Sequence, residues 1–437
     1  MLYAPKQMPE SIVKFGFFLI SFVFVFIHLN SSSAQSQLTY LPWFLLILIS
    51  PFLFVQKKVY SPVLTFSVVT GVYLFFSAIS YQLSGDFIPK GGKKWFDGHW
   101  VFLFPLSFLL LTAVSSWSFR VRYLSVILIV SVFAGLVVVF TDMLSGASRG
   151  YSHGRPIPFG NFGLLSGLLC LVLSFDRNTF SFRSRAILII SFFLGVAISI
   201  WSQTRGGWIF LLLVIIVFMI YSLVRYPSYR KHVLFSFGLL FVFSIWIVND
   251  DNIVSNRISS ATSDVSEYFN GVNKNTSVGL RFELWTVALT AFKEGKLFGV
   301  GPSGFNEVKN TMLDNGLVGS GVSSLLHAHN DFLWVLATKG IVGFLSYMAI
   351  YIWLLSFYLR ASRFASSRYL AISGILVVSG YAVFSLSDIF MSLKLGIGYF
   401  VILNSLLIYL ISLSSFDADL ISSRSKSFSF SRKNVSP

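Results

Sequence analysis

The sequence predicts an all-α integral membrane protein of about twelve transmembrane helices with one large extramembrane loop, and three observations carry that expectation. The chain of 437 residues is 55% hydrophobic and 11% charged, where a soluble domain has roughly 25% charged residues. Apolar runs recur along it at close to the roughly 20 residues that a spanning helix needs. Its 33 Lys and Arg against 17 Asp and Glu are divided unevenly between alternate connections, as the positive-inside rule requires. The net charge of +16 is therefore read as orientation in a membrane, and no nucleic-acid partner is expected. The single cysteine, Cys170, lies inside an apolar run. An intramolecular disulfide and a Cys-rich metal centre are thereby excluded.

Taken in order, the spans fall at about 13–29, 38–56, 61–81, 99–119, 122–142, 157–175, 185–203, 207–224, 232–248, 330–358, 368–388 and 394–414. Each is an apolar run bounded by charged or turn-forming residues. Placing the N-terminus in the cytoplasm puts 19 of the 33 basic residues but four of the 17 acidic ones on the inside, so both termini are expected to be cytoplasmic. Lys6, Lys14 and Ser31-Ser32-Ser33-Ala34 also fit a cleaved signal peptide, but a first helix with basic flanks is read here as an anchor. The organisation expected is 1–248 as nine helices, 249–329 as a periplasmic catalytic loop, 330–414 as three more helices and 415–437 as a Ser- and Arg/Lys-rich cytoplasmic tail. Within the loop, Phe282 to Phe292 reads as an amphipathic helix and Gly299-Val300-Gly301-Pro302-Ser303-Gly304 as a tight loop.

Charges at membrane depth cost several kcal/mol unless paired or hydrated, so those gathered at the outer span ends are informative. Arg205, in Ser202-Gln203-Thr204-Arg205-Gly206-Gly207-Trp208, sits between two spans with almost no loop. A fixed guanidinium beside glycines suits a phosphate, and it equally suits an interfacial arginine reaching lipid headgroups. Arg281 falls at the first turn of the loop helix, where a cation is unfavourable unless an anion offsets it; the alternative is a salt bridge to Glu283 or Glu294. His329, in His327-Ala328-His329-Asn330-Asp331, stands where the chain re-enters the membrane. It suits a general base whose tautomer Asp331 or Asn330 fixes, or a buried histidine satisfied by a backbone carbonyl. The alternation of His327, His329 and Asp331 also resembles a metal-ligand spacing, but no further His or Cys completes it and no metal is expected. Asp417-x-Asp419 has the spacing of metal-dependent sugar transferases but falls in the tail. Arg149 and Arg155 are candidates to meet acceptor phosphates, while Lys90, Lys93 and Lys94 read as a solvated loop.

His329-Asn330, nine residues, then Gly340-Ile341-Val342-Gly343 resembles a signature of the O-antigen ligase and polymerase superfamily. Thr204-Arg205-Gly206-Gly207-Trp208, Gly279-Leu280-Arg281-Phe282-Glu283-Leu284-Trp285 and Leu297-Phe298-Gly299-Val300-Gly301 are similar to its other blocks, in the same order. Arg155-Pro156-Ile157-Pro158-Phe159-Gly160 resembles a stretch seen in the ligases. The resemblance implies a GT-C-like membrane fold and an inverting, metal-independent, cofactor-free glycosyltransferase, an O-antigen ligase. Such an enzyme moves O-antigen glycan from undecaprenyl diphosphate to a lipid A–core sugar hydroxyl at the periplasmic face of the bacterial inner membrane. It implies Arg205 and Arg281 as the diphosphate clamp, His329 as base, and Asn330, Asp388, Arg155 and Arg149 as substrate-binding residues. A monomer is expected, surrounded by membrane lipids. The alternatives are an O-antigen polymerase or a protein O-oligosaccharyltransferase with the same donor, and, outside enzymes, a lipid-linked glycan transporter.

Overall fold

A computed structural model describes residues 60–88, 96–114, 119–146, 156–225 and 253–432, with isolated positions at 11, 14, 16, 20, 40–42, 44, 45, 228, 230, 231 and 234. The side chains of Val114, Ile253, Val254, Arg257 and residues 415–432 are not described. The first, second and ninth expected spans, together with Arg149, Arg155 and Lys90, Lys93 and Lys94, lie almost wholly or wholly outside the described residues.

Among the described residues the regular structure is helical. The continuous helices are α1 (Ser61–Leu83), α2 (Phe104–Val114, entered through the 3-10 turn Asp97–Leu103), α3 (Val121–Leu144), α4 (Pro156–Ser174), α5 (Phe182–Trp201) and α6 (Arg205–Arg225). After the gap come α7 (Ile253–Phe269), α8 (Gly279–Glu294), α9 (Gly301–Asp314), α10 (Asp331–Ala361), α11 (Arg368–Phe384) and α12 (Lys394–Arg432). Seven of these, α1, α3, α4, α5, α6, α10 and the part of α12 up to Ser414, are long and apolar enough to cross a membrane, and two shorter apolar helices cover Asp97–Ala113 and Arg368–Phe384. These nine coincide with nine of the twelve expected spans. The helix of α12 continues through the expected tail to Arg432.

Local chemistry sets the ends. Pro62 opens the first turn of α1, where its missing N–H is not needed. Ser181 caps α5 by accepting from Ser184 N. At the centre lies the apolar stretch of α12, buried along its whole length, whereas α6 is mostly exposed on its sides. The core is stitched by polar bonds: Tyr358 Oη donates to Asn404 Oδ1 at 2.7 Å, Tyr381 Oη donates to the Gly396 carbonyl at 2.8 Å, and Tyr399 pairs with Ser166 at 2.9 Å. In hydrocarbon such groups have no water to fall back on. α4 and α5 approach closely because Gly195 lies against Gly163 and Gly167, where a Cβ would stand 2.5 Å from the Gly163 carbonyl oxygen.

One end of the bundle gathers the extramembrane segment. Asp86, just after α1, accepts from Ser303 N at 2.9 Å and from the Ser303 hydroxyl, capping α9 with a carboxylate supplied from another part of the chain. Leu284, Val287, Ala288 and Ala291 of α8 and Phe305, Val308 and Met312 of α9 form a second apolar core with Trp334 and Ala337 of α10. The tight loop expected at 299–304 is shorter than the glycines suggest: α9 already begins at Gly301 with Pro302 in its first turn.

α10 is not straight. Gly340 has φ 65° and ψ −167°, outside helical values. The segment before α9 fills the break: Ile341 N donates to Lys296 O at 2.9 Å, Val342 N to Leu297 O at 3.3 Å, and Val300 N to Ala337 O at 3.0 Å. A Cβ on Gly340 would overlap the Leu297 carbonyl, and one on Gly299 would overlap the Thr338 carbonyl. The backbones meet because neither residue has a side chain.

Candidate functional site

The same end of the bundle brings together the ends of α1, α4, α5, α6, α8, α10 and α11. Thr204 Oγ1 donates to Pro156 O at 3.2 Å, joining the start of α6 to the start of α4. A Cβ on Gly206 would stand 3.1 Å from Ser387 Oγ, so the Arg205 turn abuts the segment that carries Asp388. Asp331 N donates to Ser385 O at 2.8 Å, fixing the start of α10 to that segment as well. The turn at 205, the segment at 329–331 and the segment at 385–388, far apart in sequence, are thereby brought side by side.

His329 and Asp388 face each other, with His329 Nδ1 3.6 Å from Asp388 Oδ1. The partner expected for the histidine was Asp331 or Asn330, and the structure corrects this. Asp331 is buried and faces away, accepting from Ser392 Oγ at 2.7 Å, from Ser385 Oγ at 3.4 Å and from Met391 N. Asn330 caps α10: its Oδ1 accepts from Leu333 N at 3.1 Å and its amide donates to Leu386 O at 3.5 Å. Both residues hold the two segments in place around His329, and Asn330 is already engaged within the protein. Nor is His329 satisfied by a backbone carbonyl, since its buried Nδ1 has no hydrogen-bond partner among the described residues.

Arg281 sits in the first turn of α8, as the sequence predicts. Its Nη1 donates to Ser277 O at 3.2 Å, and its buried Nε has no partner among the described residues. The salt bridge to Glu283 is not formed. That carboxylate is buried and accepts from Tyr268 Oη at 3.0 Å and Gly319 N at 2.9 Å, with Lys274 Nζ 3.6 Å away. Burial pushes the Arg281 guanidinium down from its ordinary range, while Asp388 and Asp264 support its charge; an arginine so placed stays protonated. Burial also lowers the pKa of His329 below the usual imidazole value. Asp388 opposes that shift and Arg281 adds to it. The imidazole is therefore neutral near pH 7 and able to accept a proton.

Backbone strain marks the same residues. His329 at φ 49° and Gln203 at φ 56° are the non-glycine residues with positive φ among the described residues. One is the histidine itself and the other precedes Arg205 by two positions. Such conformations cost of order 1–3 kcal/mol and persist where the surroundings over-determine them. Buried polar atoms without partners among the described residues include Asn161 Oδ1 and Nδ2, Trp208 Nε1, Arg281 Nε, Trp285 Nε1 and His329 Nδ1. These residues lie in or beside the sequence blocks, while Ser77 Oγ, His99 Nε2 and Ser131 Oγ are in the same condition inside the bundle. Asn161 escaped the sequence reading because a single amide in the second turn of an apolar helix carries no pattern. Its signal is the pair Gly206 and Gly207, which pack against it.

Lys339 is a second residue missed from the sequence. It lies buried in α10, donates from Nζ to Tyr73 Oη at 2.9 Å and stands over the rings of Tyr73 and Tyr81. Gly343 makes room for it, since a Cβ there would overlap the Lys339 Cβ. The bundle interior is thus not charge-free, as its hydropathy suggests, because aromatic faces and a phenol hold this ammonium. The alternation expected to place His327, His329 and Asp331 on one face also fails. Asp388 takes the place of Asp331, and one ligand atom each from His327, His329 and Asp388 lie within 4.8 Å of one another.

Residues 190–348 match the family described as O-antigen ligase. An uncharacterized protein of Haemophilus influenzae is 25% identical over 222 residues, covering 49% of this chain and 54% of its own length. The chain thus spans about half the length of the curated relative it matches. The matched stretch contains Arg205, Arg281, His329 and the Gly340 break. Residues 190–348 are thus the part of the chain that is similar to the O-antigen ligase family.

Proposed function

We propose that the protein is an O-antigen ligase, which transfers glycan from undecaprenyl diphosphate to a sugar hydroxyl of lipid A–core at the periplasmic face of the inner membrane. The observation that carries the proposal is the meeting, at one end of a membrane bundle, of His329 with the Asp388 carboxylate 3.6 Å away and of Arg281, whose charge Asp388 supports and whose buried Nε has no partner among the described residues.

Asp388 beside Nδ1 favours the proton on that nitrogen and leaves Nε2 of His329 to take the proton of the acceptor hydroxyl. The hydroxyl oxygen then attacks the anomeric carbon as its bond to the diphosphate oxygen breaks, and the diphosphate leaves with the electron pair. Attack opposite the leaving group inverts the anomeric centre. Arg281 and Arg205 stabilise the charge that develops on the diphosphate, a task that a divalent metal performs in other phosphosugar enzymes. Asn330 positions the histidine by capping α10, and Arg155 and Arg149 are assigned to phosphates of the acceptor. The basic residues Arg122, Arg185 and Arg360 lie at the opposite end of the bundle, which supports a periplasmic site.

Product analysis tests the assignment. Purified protein given undecaprenyl-diphosphate-linked glycan and lipid A–core is expected to yield capped core with inverted stereochemistry at the new bond. Lengthened carrier-linked glycan with no capped core would make the protein a polymerase, and glycosylated protein an O-oligosaccharyltransferase.

A further inference from the structure

We infer that His327, His329 and Asp388 form a binding site for a borderline divalent transition-metal ion, typified by Zn²⁺, and that an ion seated there occupies His329 and inhibits transfer. The inhibitory half rests on the function proposed above; the binding half does not.

Geometry comes first. One ligand atom from each residue lies within 4.8 Å of the other two, and His329 Nδ1 is already 3.6 Å from Asp388 Oδ1. A tetrahedral ion with bonds of 2.0–2.1 Å holds its ligand atoms about 3.3 Å apart, so side-chain movements totalling up to about 1.5 Å close the set. Residues two apart on a helix would point away from each other. Here the left-handed turn at His329 instead brings the two imidazoles together, with ring centroids 4.2 Å apart. The unpartnered, buried Nδ1 of His329 is the independent sign that this corner accommodates something more.

Ligand chemistry selects the ion. Two imidazoles and a carboxylate suit Zn²⁺ and its neighbours, whereas Mg²⁺ requires octahedral oxygen. Three protein ligands leave a coordination position open. Asp388 is held from behind, since its N–H donates to Phe384 O at 3.2 Å and its Oδ1 accepts from Ile389 N at 2.8 Å. Asp388 also supports the charge of Arg281, so the ion competes with that guanidinium for the carboxylate's charge. Bound through Nδ1, the ion displaces the proton held there and leaves the ring proton on Nε2, which can then no longer accept one from the acceptor hydroxyl.

Zn²⁺ titration of the purified full-length protein is the test, with binding and transfer measured on the same preparations of wild type, His327→Ala and His327→Gln. One Zn²⁺ is expected to bind per chain and transfer to fall in step, with Mg²⁺ without effect. Both variants are expected to transfer within about twofold of wild type in chelator and to need at least about tenfold more Zn²⁺ for half-inhibition. Absence of binding, or variants that bind and respond as wild type does, would overturn the site. Wild type that binds Zn²⁺ at this site and transfers undiminished would overturn the inhibition. Wild type that is inactive in chelator and restored by Zn²⁺ would overturn both the inhibition and the metal-free mechanism. Zn²⁺ binding is read without any transfer, so failure of the proposed function leaves that arm decisive.

Discussion

The two ends of the bundle use their arginines differently. At the end lined by Arg122, Arg185 and Arg360, guanidinium groups are consumed by the protein's own carbonyls: Arg122 Nε and Nη2 donate to Thr179 O, Arg185 Nε to Ser174 O at 2.6 Å, and Arg360 Nε to Ser356 O. Asp176 likewise accepts from Asn178 N and Thr179 N. At the opposite end Arg281 keeps a buried Nε without a partner among the described residues, close to a histidine in the same condition. Burying an unsatisfied donor costs about 1–3 kcal/mol. A ligand that accepts from Arg281 would remove that cost, which is the difference between the two ends that the proposed function uses.

The sharpest way to break this comparison is to remove one arginine from each end. Arg281→Ala is expected to lower turnover by about 10²–10³-fold with insertion and folding retained. Arg185→Ala is expected to leave transfer intact and cost about 1–2 kcal/mol of stability. Equal losses in both, in transfer assays and thermal unfolding, would erase the distinction.

A smaller effect is expected at the α10 break. Gly340→Ala places a Cβ against the Leu297 carbonyl at a positive φ, and should cost at least about 2 kcal/mol and lower Tm with or without substrate. An unchanged Tm would mean that α10 runs on as an ordinary helix.

The pH profile sharpens the site end. In the proposed mechanism the active form of His329 is the neutral ring, so the rate is expected to fall as pH drops through its pKa. Asp388 raises that pKa and Arg281 lowers it. Asp388→Asn should therefore move the acid limb to lower pH and Arg281→Gln to higher pH, each by up to about one unit, read from the residual rate of each variant. Shifts of the same sign would place the titrating group elsewhere. The smallest effect is expected from Asp176→Asn, where the turn bonds are exposed: under about 1 kcal/mol in thermal unfolding and none in transfer.

Seven of the spans were legible because hydropathy and length alone decide whether a helix can cross a bilayer, and α1, α3–α6, α10 and the first part of α12 follow those runs, with shorter apolar helices at two more of the expected positions. Arg281 in a first helical turn and Arg205 in a minimal turn were legible from spacing. The pairing inside the site was not. Neighbours in sequence suggested Asp331 or Asn330 for His329, yet Asp331 anchors the segment after α11 and Asn330 caps α10. The carboxylate beside the histidine comes from residue 388, which only tertiary packing brings near. Lys339 escaped for a similar reason, since the rings that hold it come from α1. The glycines were read as signature positions, and their physical work is to let the Gly299 and Gly340 backbones meet.

The most direct test of His329 as a metal-free base is transfer of undecaprenyl-diphosphate-linked glycan to lipid A–core in excess chelator, by wild type and by His329→Ala side by side. Full activity in the wild type and a loss of at least about 10²-fold in the variant is the predicted result. A variant as active as wild type, or a wild type silenced by chelator, would contradict it.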